Sequence, residues 1–122
     1  MPPPSTENPC KVLIVEDDDG ARAALGDIFD GEGFQVACSP NGQEALDYLR
    51  KSPAPDIIIL DLQMPVMDGW KFRREQKKDQ RFAKVPVVVV TAFSPPENID
   101  AAAILQKPID VEKLLGVVRQ YC

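Results

Sequence analysis

The stretch "IIILDLQMPVMDGW", Ile57 to Trp70, sets four branched apolar residues directly against an aspartate, Asp61, and follows with Met-Pro and Asp-Gly turn pairs. A run with no polar alternation fits a strand covered on both faces, the kind found in parallel sheets. Comparable runs recur along the chain: "KVLIV" (11 to 15), "FQVAC" (34 to 38), "DIIIL" (56 to 60), "VPVVVV" (85 to 90) and "AAIL" (102 to 105).

Helical spacing fills the intervals. Ala21, Ala24, Leu25, Ile28 and Phe29 fall on one face, Ala45, Leu46 and Leu49 on another, and Val111, Leu114, Leu115, Val118 and Tyr121 on a last one for which Asp110 is the expected N-cap. The third interval, "GWKFRREQKKDQRF", fits less well. Its strong apolar residues are Trp70, Phe72 and Phe82, while Arg73 and Gln76 stand where inward residues belong. Trp70 reads as a packed helix residue. After Thr91, residues 92 to 102 are all that precede the last apolar run, and Pro95 and Pro96 occupy their beginning. A helix of about 6 to 7 residues covers about 10 Å, against about 17 to 20 Å for a typical strand, so this fourth helix is expected to be short or irregular. Strand and helix thus alternate through the chain. Right-handed crossovers and two covered faces then predict an α/β, doubly wound sandwich.

Composition bounds what such a fold can do. The chain has 122 residues, enough for one domain, with a net charge of -5 that disfavours attraction to nucleic-acid phosphates. No apolar run reaches the roughly 18 residues of a membrane span, and the opening MPPPSTENP is polar and proline-rich, so residues 1 to 9 read as a disordered lead-in to a domain at 10 to 122. Histidine is absent, which removes the commonest general base and metal ligand. Cys10, Cys38 and Cys122 have no metal-type spacing, and their odd number argues against a closed disulfide framework, so they are expected to be reduced thiols of a cytoplasmic protein.

In a doubly wound sheet, residues following the carboxyl ends of the strands converge on one crevice. Here those are Glu16 and Asp17 after "VLIV", Asp61 after "IIIL", Thr91 after "VVVV" and Lys107 after "AILQ". Crowded carboxylates resist ionising unless a cation joins them, and oxygen ligands without histidine favour Mg²⁺. A carboxylate beside Mg²⁺ can attack phosphorus, while the lysine and a hydroxyl stabilise the phosphoryl oxygens. Asp61 is the candidate nucleophile.

Taken one at a time, each residue has an ordinary explanation. The acids of Glu16 to Asp19 favour a helix N-terminus, Asp61 and Asp68-Gly69 suit turns, and Thr91 and Lys107 are a commonplace strand residue and a loop charge. Their joint placement after successive inner strands is what argues for chemistry. The cations Lys71, Arg73, Arg74, Lys77, Lys78, Arg81 and Lys84 read first as a solvated helix face.

The segments "VLIVEDD", "IIILDLQMPVMDG", "VVVVTA" and "LQKP", in this order and spacing, resemble the receiver domain of bacterial two-component response regulators, of the CheY-like superfamily. The resemblance implies a flavodoxin-like (βα)5 fold with strand order 2-1-3-4-5. It also implies that Asp61 accepts a phosphoryl group from a sensor histidine kinase or phosphotransfer protein. Asp17, Asp61 and the backbone carbonyl of Gln63 would bind Mg²⁺, with Glu16 acting through water. Thr91 and Lys107 would contact the phosphoryl oxygens, and Pro108 would follow a cis bond.

Such a module is a signalling phosphoacceptor and not a conventional enzyme, its own turnover being slow autodephosphorylation. Its output is a changed affinity for an unknown downstream protein, without direct contact to nucleic acid or membrane. Two features depart from the family. Ile104 stands three residues before Lys107 where an aromatic residue usually serves switching, and the fourth connection is short. They suggest a different output surface, on the first, third or last helix, or alternatively a phosphorylation-independent interaction module. An aspartyl-phosphate hydrolase is disfavoured because Gln63 stands where such enzymes commonly carry a second aspartate. A dinucleotide binder is disfavoured because no GxGxxG pattern is present. The chain stops just after the last helix, so it is read as a stand-alone receiver or a piece of a longer protein.

Overall fold

The computed structural model describes residues 9 to 62, 67 to 92 and 101 to 122. Five strands, β1 (Lys11–Val15), β2 (Gln35–Ser39), β3 (Ile57–Asp61), β4 (Val87–Thr91) and β5 (Ala103–Gln106), form one sheet in the order β2-β1-β3-β4-β5, every neighbouring pair parallel. This is the flavodoxin-like arrangement expected. Among the described residues there are four helices: α1 (Asp19–Gly31), α2 (Gly42–Lys51), α3 (Gly69–Lys77) and α4 (Val111–Arg119). The expected fourth crossover helix falls mostly outside the described residues, as do residues 1 to 8 of the lead-in. No described helix is long and apolar enough to cross a membrane.

Unbroken apolar strands follow from a core on each side. Successive side chains point to opposite faces. Leu13, Val15, Ile58, Leu60, Val87 and Val89 therefore meet Ala45, Leu46 and Leu49 of α2 and Phe72 of α3. Val12, Ile14, Ile57, Ile59, Val88 and Val90 meet Leu25 and Phe29 of α1 and Leu114, Leu115 and Val118 of α4. Every residue of β3 and β4 is buried.

Side-chain caps start the helices. Asp18, Asn41, Asp68 and Asp110 each accept a hydrogen bond from the backbone N–H three residues on, satisfying a donor that has no partner inside the helix. Asp110 is thus the expected N-cap. The Asp68-Gly69 pair does more than turn the chain: a Cβ at Gly69 would lie 2.7 Å from the Cα of Leu62, so only glycine lets α3 begin this close to the end of β3.

The expected pattern needs correcting at three helices. Ala24 of α1 is exposed, leaving Leu25 and Phe29 as that helix's buried residues. α4 ends at Arg119, and Tyr121, placed on its apolar face by periodicity, is 40% exposed. α3 ends at Lys77, and residues 78 to 85 return to the sheet through turns. Gln76 explains the poor apolar pattern there. It is fully buried, its Nε2 donates to the carbonyls of Phe82 (3.0 Å) and Val85 (3.1 Å), and its Oε1 accepts from Arg73 (2.8 Å). An inward polar residue replaces an apolar one because the following turns present carbonyls that need donors. Trp70 packs, half-buried, against the core on the α2 and α3 side, as expected.

The cysteines also depart from expectation. Cys10 and Cys122 are joined as a disulfide, with Cα atoms 5.5 Å apart and a sequence separation of 112, and Cys38 is free. An odd number of cysteines is compatible with a disulfide because one thiol, Cys38, stands aside while the fold brings the other two together.

Gln76→Leu should lower the free energy of unfolding by about 2 kcal/mol, the order expected when buried carbonyls lose their donor. Urea denaturation measures this, and an unchanged midpoint would mean that other donors reach Phe82 and Val85.

Candidate functional site

Parallel strands align their carboxyl ends, and the local sequence places a polar group at each. Asp61 and Thr91 are the last residues of β3 and β4, at 5% and 2% exposure. Glu16 follows β1, where its backbone N–H donates to the carbonyl of Ser39 at the end of β2. Asp17, next along, is exposed. Lys107 follows β5, its N–H donating to the carbonyl of Thr91 at 2.8 Å, and the Lys107–Pro108 peptide is cis.

Glu16, Asp17 and Asp61 each present a carboxylate oxygen within 4.8 Å of the others'. The Lys107 ammonium reaches across the sheet to Glu16 Oε1 at 2.8 Å and Asp61 Oδ2 at 3.5 Å. Burial of Lys107 would lower its pKa, but the hydrogen bond to Glu16 and the charges of Asp61 and Glu16 outweigh that and hold it above the ordinary lysine value. Lys107 bridges two carboxylates. The structure thus brings together Glu16, Asp17, Asp61 and Lys107, with Thr91 one strand away from Asp61. Gln63 lies outside the described residues.

The acidic run divides its labour. Asp18 caps α1 and Asp19 pairs with Arg22 at 2.5 Å, while Glu16 and Asp17 form the cluster. Sequence reasoning missed Arg22. Its guanidinium donates to the main-chain carbonyls of Glu16 (2.9 Å) and Asp17 (3.4 Å), bracing the turn that carries both acids. A signal was present, since an arginine four residues after an N-cap can fold back over the first turn.

The donor set fits Mg²⁺. Three carboxylates and one ammonium sum to about -2, the charge a divalent ion neutralises. Octahedral ligands at about 2.0 to 2.1 Å stand up to about 4.2 Å apart across the ion, so carboxylate oxygens within 4.8 Å of one another are near the spacing that one ion's surroundings require.

The chain matches the family model described as the response regulator receiver domain over residues 12 to 119. It is 32% identical over 117 residues to the sporulation initiation phosphotransferase F of Bacillus subtilis, covering 91% of this chain and 92% of that one. Among solved structures, it superimposes on the chemotaxis protein CheY4 of Vibrio cholerae with a TM-score of 0.86 at 28% identity, covering 94% of this chain and all of the other. It also shares its fold with the receiver domain of a sensor histidine kinase from Pseudomonas aeruginosa, at a TM-score of 0.85 and 21% identity over 93% of this chain and 98% of that one. That structure has a magnesium ion coordinated in its active-site cleft.

Removing the cation that bridges Glu16 and Asp61 should be costly. Lys107→Met is expected to lose about 2 to 4 kcal/mol in metal-free buffer at pH 7, as when one partner of a buried ion pair is deleted. Because folding raises the Lys107 pKa, its stabilisation is complete below the ordinary value of 10.5 and fades as pH rises through the higher folded value. Urea denaturation of both proteins should therefore give a gap that narrows above that pH; a gap constant with pH would mean that the ammonium charge is not its source.

Proposed function

Since this chain belongs to the response regulator receiver domain family, we propose that it is the phosphoacceptor of a two-component phosphorelay and that Asp61 is the residue phosphorylated. The single observation that supports this most directly is the meeting of Glu16, Asp17 and Asp61 around one point at the carboxyl edge of the sheet, with Lys107 bridging two of them. The receiver unit spans residues 10 to 122, with residues 1 to 9 as its lead-in.

The chemistry follows from positions. An Asp61 carboxylate oxygen attacks the phosphorus of a phosphohistidine on a sensor kinase or phosphotransfer protein. The P–N bond breaks as the P–O bond forms, and the imidazole leaves. Asp61 ends a strand buried throughout and paired on both sides, which fixes its backbone, so little orientation is lost at the moment of attack. Asp17, Asp61 and the carbonyl of Gln63 would hold Mg²⁺, with Glu16 acting through water. The ion supplies charge neutralisation for the phosphoryl oxygens.

Once Asp61 carries phosphate, Lys107 is drawn from Glu16 toward the new oxygens, and the Thr91 hydroxyl donates to another. Water slowly hydrolyses the acyl phosphate, the only turnover proposed. The consequence is a population shift toward a form that binds a downstream protein, and the setting proposed is the cytoplasm.

Ile104 argues for an unusual output. It lies on β5 opposite Val89, partly buried against the core on the α2 and α3 side, and an aliphatic side chain there cannot perform the aromatic rearrangement that the family's usual switch employs. That observation favours partner contact on α1, α3 or α4, and it keeps a phosphorylation-independent interaction module as the second reading.

Incubation with acetyl phosphate and Mg²⁺, followed by intact mass measurement, should add one phosphoryl group, with none added to Asp61→Asn or without Mg²⁺. A folded wild-type protein that gains nothing, from a matched kinase as well, would favour the second reading. Mg²⁺ should also raise stability by RT ln(1 + [Mg²⁺]/Kd), about 2.7 kcal/mol at a concentration of about 100 Kd. Thermal melts of Asp17→Asn should lose most of that increment, and a mutant that kept it in full would exclude Asp17 as a ligand.

A further inference from the structure

Cys10 and Cys122 stand at the two ends of the described fold. Cys10 precedes β1, and its carbonyl accepts from the backbone N–H of Gln35 at 2.9 Å, which fixes it at the amino edge of the sheet. Its side chain is half-buried against the same cluster that receives Leu114, Leu115 and Val118 of α4. Cys122 lies just past α4, exposed, after turn bonds from Gln120 to Val117 (3.1 Å) and from Tyr121 to Val118 (3.0 Å).

We propose that Cys10 and Cys122 form a redox-responsive clasp: a reversible disulfide, exchanged with small-molecule disulfides, that governs how firmly α4 is held to the sheet.

Their backbones are already in place for it. A Cα separation of 5.5 Å falls within the range of about 4.4 to 6.8 Å that disulfides require, so the two backbones stand where the bond can form. Val118, fully buried, holds one face of the last turn of α4, while Arg119 to Cys122 beyond it are exposed and are anchored by the disulfide. Arg119 reaches Glu32, beyond α1, at 3.5 Å, but that pair is exposed and weak. Closing so long a loop also restricts the unfolded chain most strongly.

Access and selectivity suit exchange. Exposed Cys122 offers its sulfur to an incoming disulfide, and Cys10 is the resolving thiol. In the first step a Cys122 thiolate attacks a small disulfide, RSSR, forming a mixed disulfide and releasing one RS⁻. In the second, the Cys10 thiolate attacks the Cys122 sulfur and releases the other. Two protein thiols are oxidised, one RSSR is reduced to two RSH, and the protons pass to the departing thiolates.

Cys38 stays apart. It pairs in register with Ile14, four residues along β1 from Cys10, or about 13 Å at the rise of a strand. Its side chain is exposed, but partial desolvation raises its pKa against the lowering influence of Arg22, which leaves it less thiolate at neutral pH.

The test equilibrates the whole chain with oxidised or reduced glutathione, quenches with acid, then denatures, alkylates and weighs it. Oxidised protein should carry one alkyl group, at Cys38, and reduced protein three. Reduction should lower Tm by about 10 °C. Cys10→Ser and Cys122→Ser should each melt near the reduced wild type whatever the glutathione state, whereas Cys38→Ser should keep the full redox response. Three alkylated cysteines after oxidised glutathione, a stable mixed disulfide with glutathione at Cys10 or Cys122, a dimer linked through either of them, or a Tm indifferent to reduction would each overturn the clasp.

Discussion

Parallel pairing of β1 with β3, Val15 opposite Leu60, is the constraint on which the site depends. With that register Glu16 and Asp61 both come next after a paired residue and emerge side by side. Slipping it by one residue would turn every side chain of one strand to the opposite face. The penalty would fall on Ile57 to Leu60, all buried, so core packing holds the carboxylates in position. β4 supports β3 from the other side, with Asp61 opposite Val90.

Such precision creates an electrostatic problem. Three carboxylates approach within 4.8 Å, two of them on residues almost wholly buried. Lys107 answers part of it from the edge of the sheet, and Arg22 braces the turn through its main-chain carbonyls without competing for the carboxylates of Glu16 and Asp17. What remains is a deficit of positive charge at a defined point, which a divalent ion would neutralise.

Away from the site, the same fold solves ordinary problems with unusual residues. Gln76 occupies a core position because residues 78 to 85 bring carbonyls inward. Gly69 allows α3 to start against Leu62, which ties the helix to the end of β3. Cys10 and Cys122 meet because parallel winding returns the last helix to the side of the sheet where the first strand begins.

The strands and most helices were legible in the sequence because their signal is local: runs such as "VVVV" and "IIIL" have no polar face, and i, i+3, i+4 spacing marks a helix within a few turns. Glu16, Asp17, Asp61, Thr91 and Lys107 were legible too, since each follows an apolar run and parallel winding brings strand ends together. Tertiary structure alone decided that Lys107 bonds Glu16 more closely than Asp61, that Gln76 points inward, that Arg22 clasps the acidic turn and that Cys10 meets Cys122. Each of these depends on which distant groups become neighbours once the chain is packed. Periodicity along a chain records which face a residue occupies; the partner it finds there is set by the whole fold.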